Sequence, residues 1–141
     1  MRIGGVLAAL MPALIAGSAS AAPAPIAGRW LTMEGKAIVD VEPCRQDAGQ
    51  LCGRIARVLK PRPGEPAVDQ KNPDPALRSR PIQGIAVLES FTAAGDRWKG
   101  RIYDPESGRE YRSEVTRRGG TLHVKGCVGP FCRTQDWMRA G

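Results

Sequence analysis

From residue 28 onward the chain alternates. Ala37, Val39 and Val41 fall on one side of a period-two pattern, with Lys36, Asp40 and Glu42 on the other and Ile38 as the break. Trp98, Gly100 and Ile102 alternate with Arg97, Lys99 and Arg101, and Tyr111, Ser113 and Val115 alternate with Glu110, Arg112 and Glu114. Leu122, Val124 and Gly126 share one face of the next run. Period two marks a strand with one buried and one wet face. Eight runs of this kind are predicted, over 28–33, 36–42, 51–59, 84–91, 97–103, 109–116, 121–127 and 132–139. Turn-forming residues separate several of them: Glu34-Gly35, Ala93-Ala94-Gly95-Asp96, Asp104-Pro105-Glu106-Ser107-Gly108 and Arg117-Arg118-Gly119-Gly120.

Short antiparallel strands with hairpin-length connections point to an all-β fold, a small up-and-down barrel of about eight strands that leaves no sheet edge open. A two-sheet sandwich is the alternative. The charged face of the strands must meet water, which excludes an outer-membrane barrel, whose outer wall is apolar. The inner face is expected to carry Trp98, Ile102, Tyr111, Val115, Leu122, Val124 and part of the Ile85–Leu88 run. Gly53, Gly100 and Gly126 fall inside strands, where a barrel needs bends or a close backbone approach.

The segment 60–81 breaks the pattern. It holds six prolines and almost no apolar residues. A loop this long in a small domain is functional or disordered. Asp and Asn before proline favour turns closed by side-chain-to-backbone bonds, so Asp69-Gln70-Lys71-Asn72-Pro73-Asp74-Pro75 reads first as an ordered lid. Asp69, Asn72 and Asp74 also offer oxygens to a polar ligand, although their spacing is not that of a calcium loop.

Residues 1–21 read as a cleavable signal peptide. Arg2 is the positive end, Ile3 to Ala16 an apolar run, and Ala19-Ser20-Ala21 a small-residue cleavage triplet. Residues 22–27 are then a leader and 28–141 a single domain. The expected destination is the periplasm or the medium, with no transmembrane span. The cysteines agree. Cys44, Cys52, Cys127 and Cys132 are an even set, and in an oxidising compartment they are expected as disulfides. Each of the pairs Cys44–Cys52 and Cys127–Cys132 flanks a turn-like segment, and such short loops stabilise by about 2–2.5 kcal/mol each.

Composition narrows the chemistry. The 141 residues include 17 Gly and 12 Pro, too many for a helix bundle and without a collagen period. The 21 Lys and Arg against 14 Asp and Glu give a net charge of +7. With a signal peptide present, that charge points away from nucleic acid and towards an anionic envelope surface. His123 is the only histidine, on an expected wet face, so a zinc site with two or three histidines is impossible and no metal or cofactor is expected. No phosphate loop or nucleophile elbow is present, and no catalytic constellation is visible. Glu89 shares a period-two face with Ile85, Val87 and Phe91. A carboxylate there needs a partner, for which an arginine ion pair is the expected answer.

The pattern Gly28-Arg29-Trp30, Leu51-Cys52-Gly53-Arg54-Ile55, Asp69-x-x-Asn72-Pro73, Trp98-Lys99-Gly100-x-Ile102-Tyr103-Asp104-Pro105-x-x-Gly108 and Trp137-x-Arg139 resembles the bacterial DUF2147 family, a domain of unknown function. The resemblance covers essentially all of 28–141 and implies a secreted or periplasmic protein, but no activity or catalytic residue. Gly28-x-Trp30 with Arg139 is also similar to the barrel-closing signature of lipocalins and other calycins. That likeness implies a tryptophan on the first strand beneath a basic side chain from the last, with Trp137 expected nearby. It also implies a barrel mouth able to take a small-molecule or lipid-like ligand.

The expected function is therefore a non-catalytic binding module. Asp69, Asn72, Glu89, Trp98, Tyr103 and Tyr111 are the candidate ligand contacts, and Trp30, Trp137 and Arg139 the structural cluster. The alternatives are a filled-barrel structural protein of the envelope, and an enzyme in which the Asp69–Asn72 loop converges with Glu89 or Tyr103 on one cleft.

Overall fold

The computed structural model describes residues 4–5, 9–18 and 21–141. Arg2, Ile3, Ala19 and Ser20 of the expected signal peptide lie outside the described residues. Eight antiparallel strands, each bonded to its neighbours in chain order, close into one barrel: β1 (Gly28–Leu31), β2 (Ala37–Pro43), β3 (Leu51–Val58), β4 (Ala86–Ala94), β5 (Arg97–Asp104), β6 (Arg109–Arg118), β7 (Thr121–Val128) and β8 (Phe131–Arg139). Closure is made by β1 on β8, with Trp30 opposite Arg139 and Leu31 opposite Met138. The alternation is obeyed across the sheet. Val39, Val115, Leu122 and Val124 are buried, while their neighbours in sequence are not. The outer face of β5–β7 is charged, and several of its cations are matched across strands: Arg97 with Glu114 at 2.8 Å, Lys125 with Glu114 at 2.9 Å and Arg101 with Glu110 at 3.0 Å. His123 faces the same solvent side of the wall and shares a 2.6 Å hydrogen bond with Asp136.

In an up-and-down barrel the connections alternate between two ends. The β1–β2, β3–β4, β5–β6 and β7–β8 loops form one end, the mouth. The other end is closed by Trp30 and Phe91. Arg139 lies over the Trp30 ring at 5.1 Å and Arg117 at 5.9 Å, and the indole N–H donates to the Ile26 carbonyl at 2.9 Å. A cation over an indole contributes about 0.5–2 kcal/mol, so the sequence signature has an energetic basis. Arg117 is the addition that the motif did not announce.

Two expectations are corrected. The first strand ends at Leu31 rather than Met33, because Met33–Gly35 form a 3-10 turn held by Gly35 N–H on the Thr32 carbonyl. Glu89 is not on the inner face. Between Gly53 and Arg54 the β3–β4 register slips, so Val87 and Leu88 are both buried in succession. Glu89 then stands opposite Arg101 in the strand register on the outer wall, without the expected ion pair, since Arg101 is bonded to Glu110 instead, and Ser90, at φ 54°, is the extra residue that returns Phe91 to the core. Two bulges thus shift the phase that simple alternation assumed. Both rest on missing side chains. A Cβ on Gly53 would come to 3.0 Å from Leu88, and one on Gly100 to 2.6 Å from the Glu89 carbonyl and the Phe91 ring.

The cysteines pair as Cys44–Cys52 and Cys127–Cys132. The first closes the β2–β3 connection at the closed end, and the second joins opposite residues of β7 and β8 beside the mouth. Among the described residues, no helix is long and apolar enough to cross a membrane.

Candidate functional site

The 60–81 segment is an ordered strap. Its two limbs pair through Val68 and Pro81, with the Asp69 N–H on the Arg80 carbonyl at 2.9 Å and the Ile82 N–H on the Ala67 carbonyl at 3.0 Å. Its prolines and acids act locally, as their order suggested. Asn72 Oδ1 accepts from the Asp74 N–H at 2.8 Å, and Asp74 Oδ1 caps a short 3-10 turn at Pro75–Leu77 by accepting from the Ala76 N–H at 3.0 Å.

One buried clasp holds the strap to the barrel. Asp69 is completely buried. Its carboxylate accepts from the Tyr103 hydroxyl at 2.6 Å, from Asn72 Nδ2 at 2.9 Å, and from Arg80 Nε and Nη2, both at 2.9 Å. Tyr103 stands on the outer-facing phase of β5, between Arg101 and the Asp104 turn, and is buried because the strap covers it. Burial first, and the Asp69 carboxylate second, push its hydroxyl up to about 12. Close approach completes the seat: a Cβ on Gly108, in the β5–β6 turn at φ 71°, would run into the Lys71 carbonyl.

Between strap and barrel the mouth holds a cavity of about 250 Å³. Its wall is apolar, with Val39, Ile55, Val58, Val87, Ile102 and Trp137 among the lining residues. Its lip is polar, with Lys36, Lys60, Arg62 and Lys71 set among Glu65, Asp104 and Glu106. Arg62 is paired with Glu65 at 3.4 Å and Lys36 with Glu106 at 3.4 Å. Below this cavity the barrel is solid: Trp30, Leu88, Phe91, Val115, Leu122 and Val124 are each at most 1% exposed. The cavity of about 250 Å³ is therefore shallow, larger than one that takes a benzene ring and just below the usual range for ligand sites.

A second depression lies on the outer wall where the strap meets β4–β6. Asn72, Arg80, Glu89, Tyr103, Gly108 and Glu110 line it. Burial raises the Glu89 carboxyl above the usual range and the Glu110 charge adds to this, while Arg101, Arg80 and Arg54 pull it back.

The six candidate contacts are thus distributed rather than gathered. Asp69, Asn72 and Tyr103 meet in the clasp, with the Asp69 oxygens turned inward. Tyr103 alone of the six lines the mouth cavity, and Asn72, Glu89 and Tyr103 share the outer depression. Trp98 is near the closed end, its indole N–H on the Ala24 carbonyl at 3.0 Å. Tyr111 is half-buried beside Gly126 and lines neither space. Trp137 lines the mouth cavity, its indole N–H donating to Gln135 Oε1 at 3.1 Å. The aliphatic lining of β2 and β3 escaped the sequence reading, since nothing in a strand's alternation distinguishes a residue that fills a core from one that borders a void. Arg80, the cationic partner of Asp69, likewise carried no signal.

A family profile described as an uncharacterized protein conserved in bacteria (DUF2147) matches residues 28–139. No curated protein matches the chain. Among solved structures, the chain is similar to one described as protein HP1028 from the human pathogen Helicobacter pylori, said to belong to the lipocalin family. The TM-score is 0.69 at 22% identity, over 83% of this chain and 84% of that one. At that identity the likeness is one of fold, and it agrees with the closed eight-stranded barrel.

Proposed function

The chain belongs to the DUF2147 family, and on that premise we propose that it is a non-catalytic binding module, acting in the periplasm or medium, that takes a small or lipid-like ligand into the mouth of its barrel. The observation that carries this reading is the 250 Å³ space with apolar walls and a charged lip beneath the strap. An apolar recess with a few polar groups at its edge suits a ligand with an apolar body and a polar end. The signal-peptide-like pattern of residues 1–21 and the two hairpin disulfides support the location, because such bonds persist in oxidising compartments.

The test is native mass spectrometry of the protein purified from a bacterial periplasm, paired with titration of an environment-sensitive apolar dye. Wild type is expected to carry a releasable small molecule or to bind the dye. Ala37→Leu, which fills the lining at the start of β2, is expected to abolish both with the fold intact. A clean mass with no dye binding would overturn the reading in favour of the second one, a filled-barrel structural protein of the envelope. The solid lower half of the barrel is what favours that alternative.

A further inference from the structure

The apolar residues that the fold leaves in water are not scattered evenly. After residue 27 the exposed large apolar side chains are Met33, Leu59, Leu77, Val128, Phe131 and Met138; Met33, Leu59, Val128 and Phe131 belong to the mouth end, while Leu77 borders the outer-wall depression and Met138 lies on the wall. Phe131 is the most exposed of them at 79%, and its cross-strand partner Val128 is 59% exposed. Both continue the register that, deeper in the barrel, carries Leu122, Val124 and Trp137 into the core. The inward-facing row of the β7–β8 hairpin therefore runs past the rim into solvent. The Cys127–Cys132 bond and the Arg112 side chain on the Gly129 carbonyl at 2.9 Å hold that tip in shape.

Among the described residues, cations without a carboxylate within 4.0 Å occur at both ends of the barrel, with Arg45, Arg117, Arg118 and Arg139 at the closed end, and the mouth has its own set beside the exposed tip. On the wall the β5 cations are matched by Glu114 and Glu110. Around the mouth, among the described residues, Lys60, Lys71, Arg112 and Arg133 have no carboxylate within 4.0 Å, and Lys60 instead reaches the Glu34 carbonyl.

We propose that the mouth end of the barrel docks on an anionic lipid bilayer, with Phe131 and Val128 as the inserting tip and the unmatched cations against the headgroups. Protein interfaces deplete charge from a contiguous apolar centre. Here the apolar side chains come from three separate loops with cations between them, the arrangement that suits an interfacial plane of lipid. Such docking would face the cavity towards the membrane, yet it is independent of whether the cavity binds anything.

The test is co-sedimentation of the oxidised protein, purified from a bacterial periplasm, with vesicles of phosphatidylcholine alone or with about a third phosphatidylglycerol. Binding to the anionic vesicles is expected to exceed that to neutral ones at least tenfold and to fall with salt, each headgroup-facing cation contributing roughly a fivefold gain. Phe131→Ser is expected to weaken it about tenfold without lowering the melting temperature, since the ring is already in water. Met138→Ser, the same loss of apolar surface on the wall, is expected to change nothing. Three results would overturn the proposal: no anionic preference, anionic binding that Phe131→Ser and Val128→Ser both leave unchanged, or Phe131-dependent self-association by light scattering without vesicle binding.

Discussion

Replacing Asp69 by alanine opens the clasp, and the contacts allow its cost to be worked out. The carboxylate is fully buried and accepts from three residues, Tyr103, Asn72 and Arg80. A hydrogen bond to a charged group contributes about 1.5–3 kcal/mol, and a buried donor left without a partner costs about 1–3 kcal/mol. Arg80 recovers much of its share, because its side chain is 36% exposed and water can replace the carboxylate. Tyr103 is only 5% exposed and cannot. An orphaned phenol plus a discounted arginine comes to about 3 kcal/mol, the lower edge for breaking a buried ion pair. In a domain of this size that lowers the melting temperature by about 10–15 °C. If the strap opens before the barrel melts, the cost is seen first as local exchange. The assay is thermal unfolding of wild type, Asp69→Ala and Asp69→Asn, with hydrogen exchange resolved over residues 67–82. Asp69→Asn keeps the shape and one acceptor oxygen and is expected to fall between the other two. An alanine variant that melts within about 2 °C of wild type, with unchanged exchange in the strap, would refute the reasoning.

The same clasp predicts a pH limit. Because the Tyr103 hydroxyl is raised from 10.0 to about 12 in the fold, the stability it contributes is full below about pH 10 and is lost as pH rises through about 12. In Tyr111→Phe, where Tyr103 is the sole tyrosine, tyrosinate absorbance should show this high midpoint, and a midpoint near 10.0 would contradict it. Gly108→Ala should push the strap off its seat at the Lys71 carbonyl. Limited proteolysis should then cut within 60–81 several times faster than in wild type, while the barrel strands stay protected. Arg139→Ala should cost about 1 kcal/mol through the lost contact over Trp30, with Arg117 keeping part of the closure. Denaturant unfolding followed by tryptophan fluorescence measures it, and no change in midpoint would sink the closure argument.

Much of this architecture was legible without coordinates. Alternation in residues 36–42, 97–103, 109–116 and 121–127 decides strand identity and which residues face inward, because a strand's side chains must alternate and only one face of a closed barrel is dry. Paired cysteines around turn-like segments act over short range, so spacing suffices to read them, whereas the closure of Trp30 by Arg139 was implied by the resemblance to lipocalins. What residue order alone could not decide lies where three segments meet. The bulges of β4 depend on Gly53 on one side and Gly100 on the other, so the outward turn of Glu89 is set by two neighbouring strands rather than by its own. The partners of Asp69 come from 3, 11 and 34 residues away, and only the folded strap brings them to one carboxylate. Whether an inward-facing valine fills the core or borders a cavity depends on the volume left by every other strand, which is a property of the closed barrel and of no single segment.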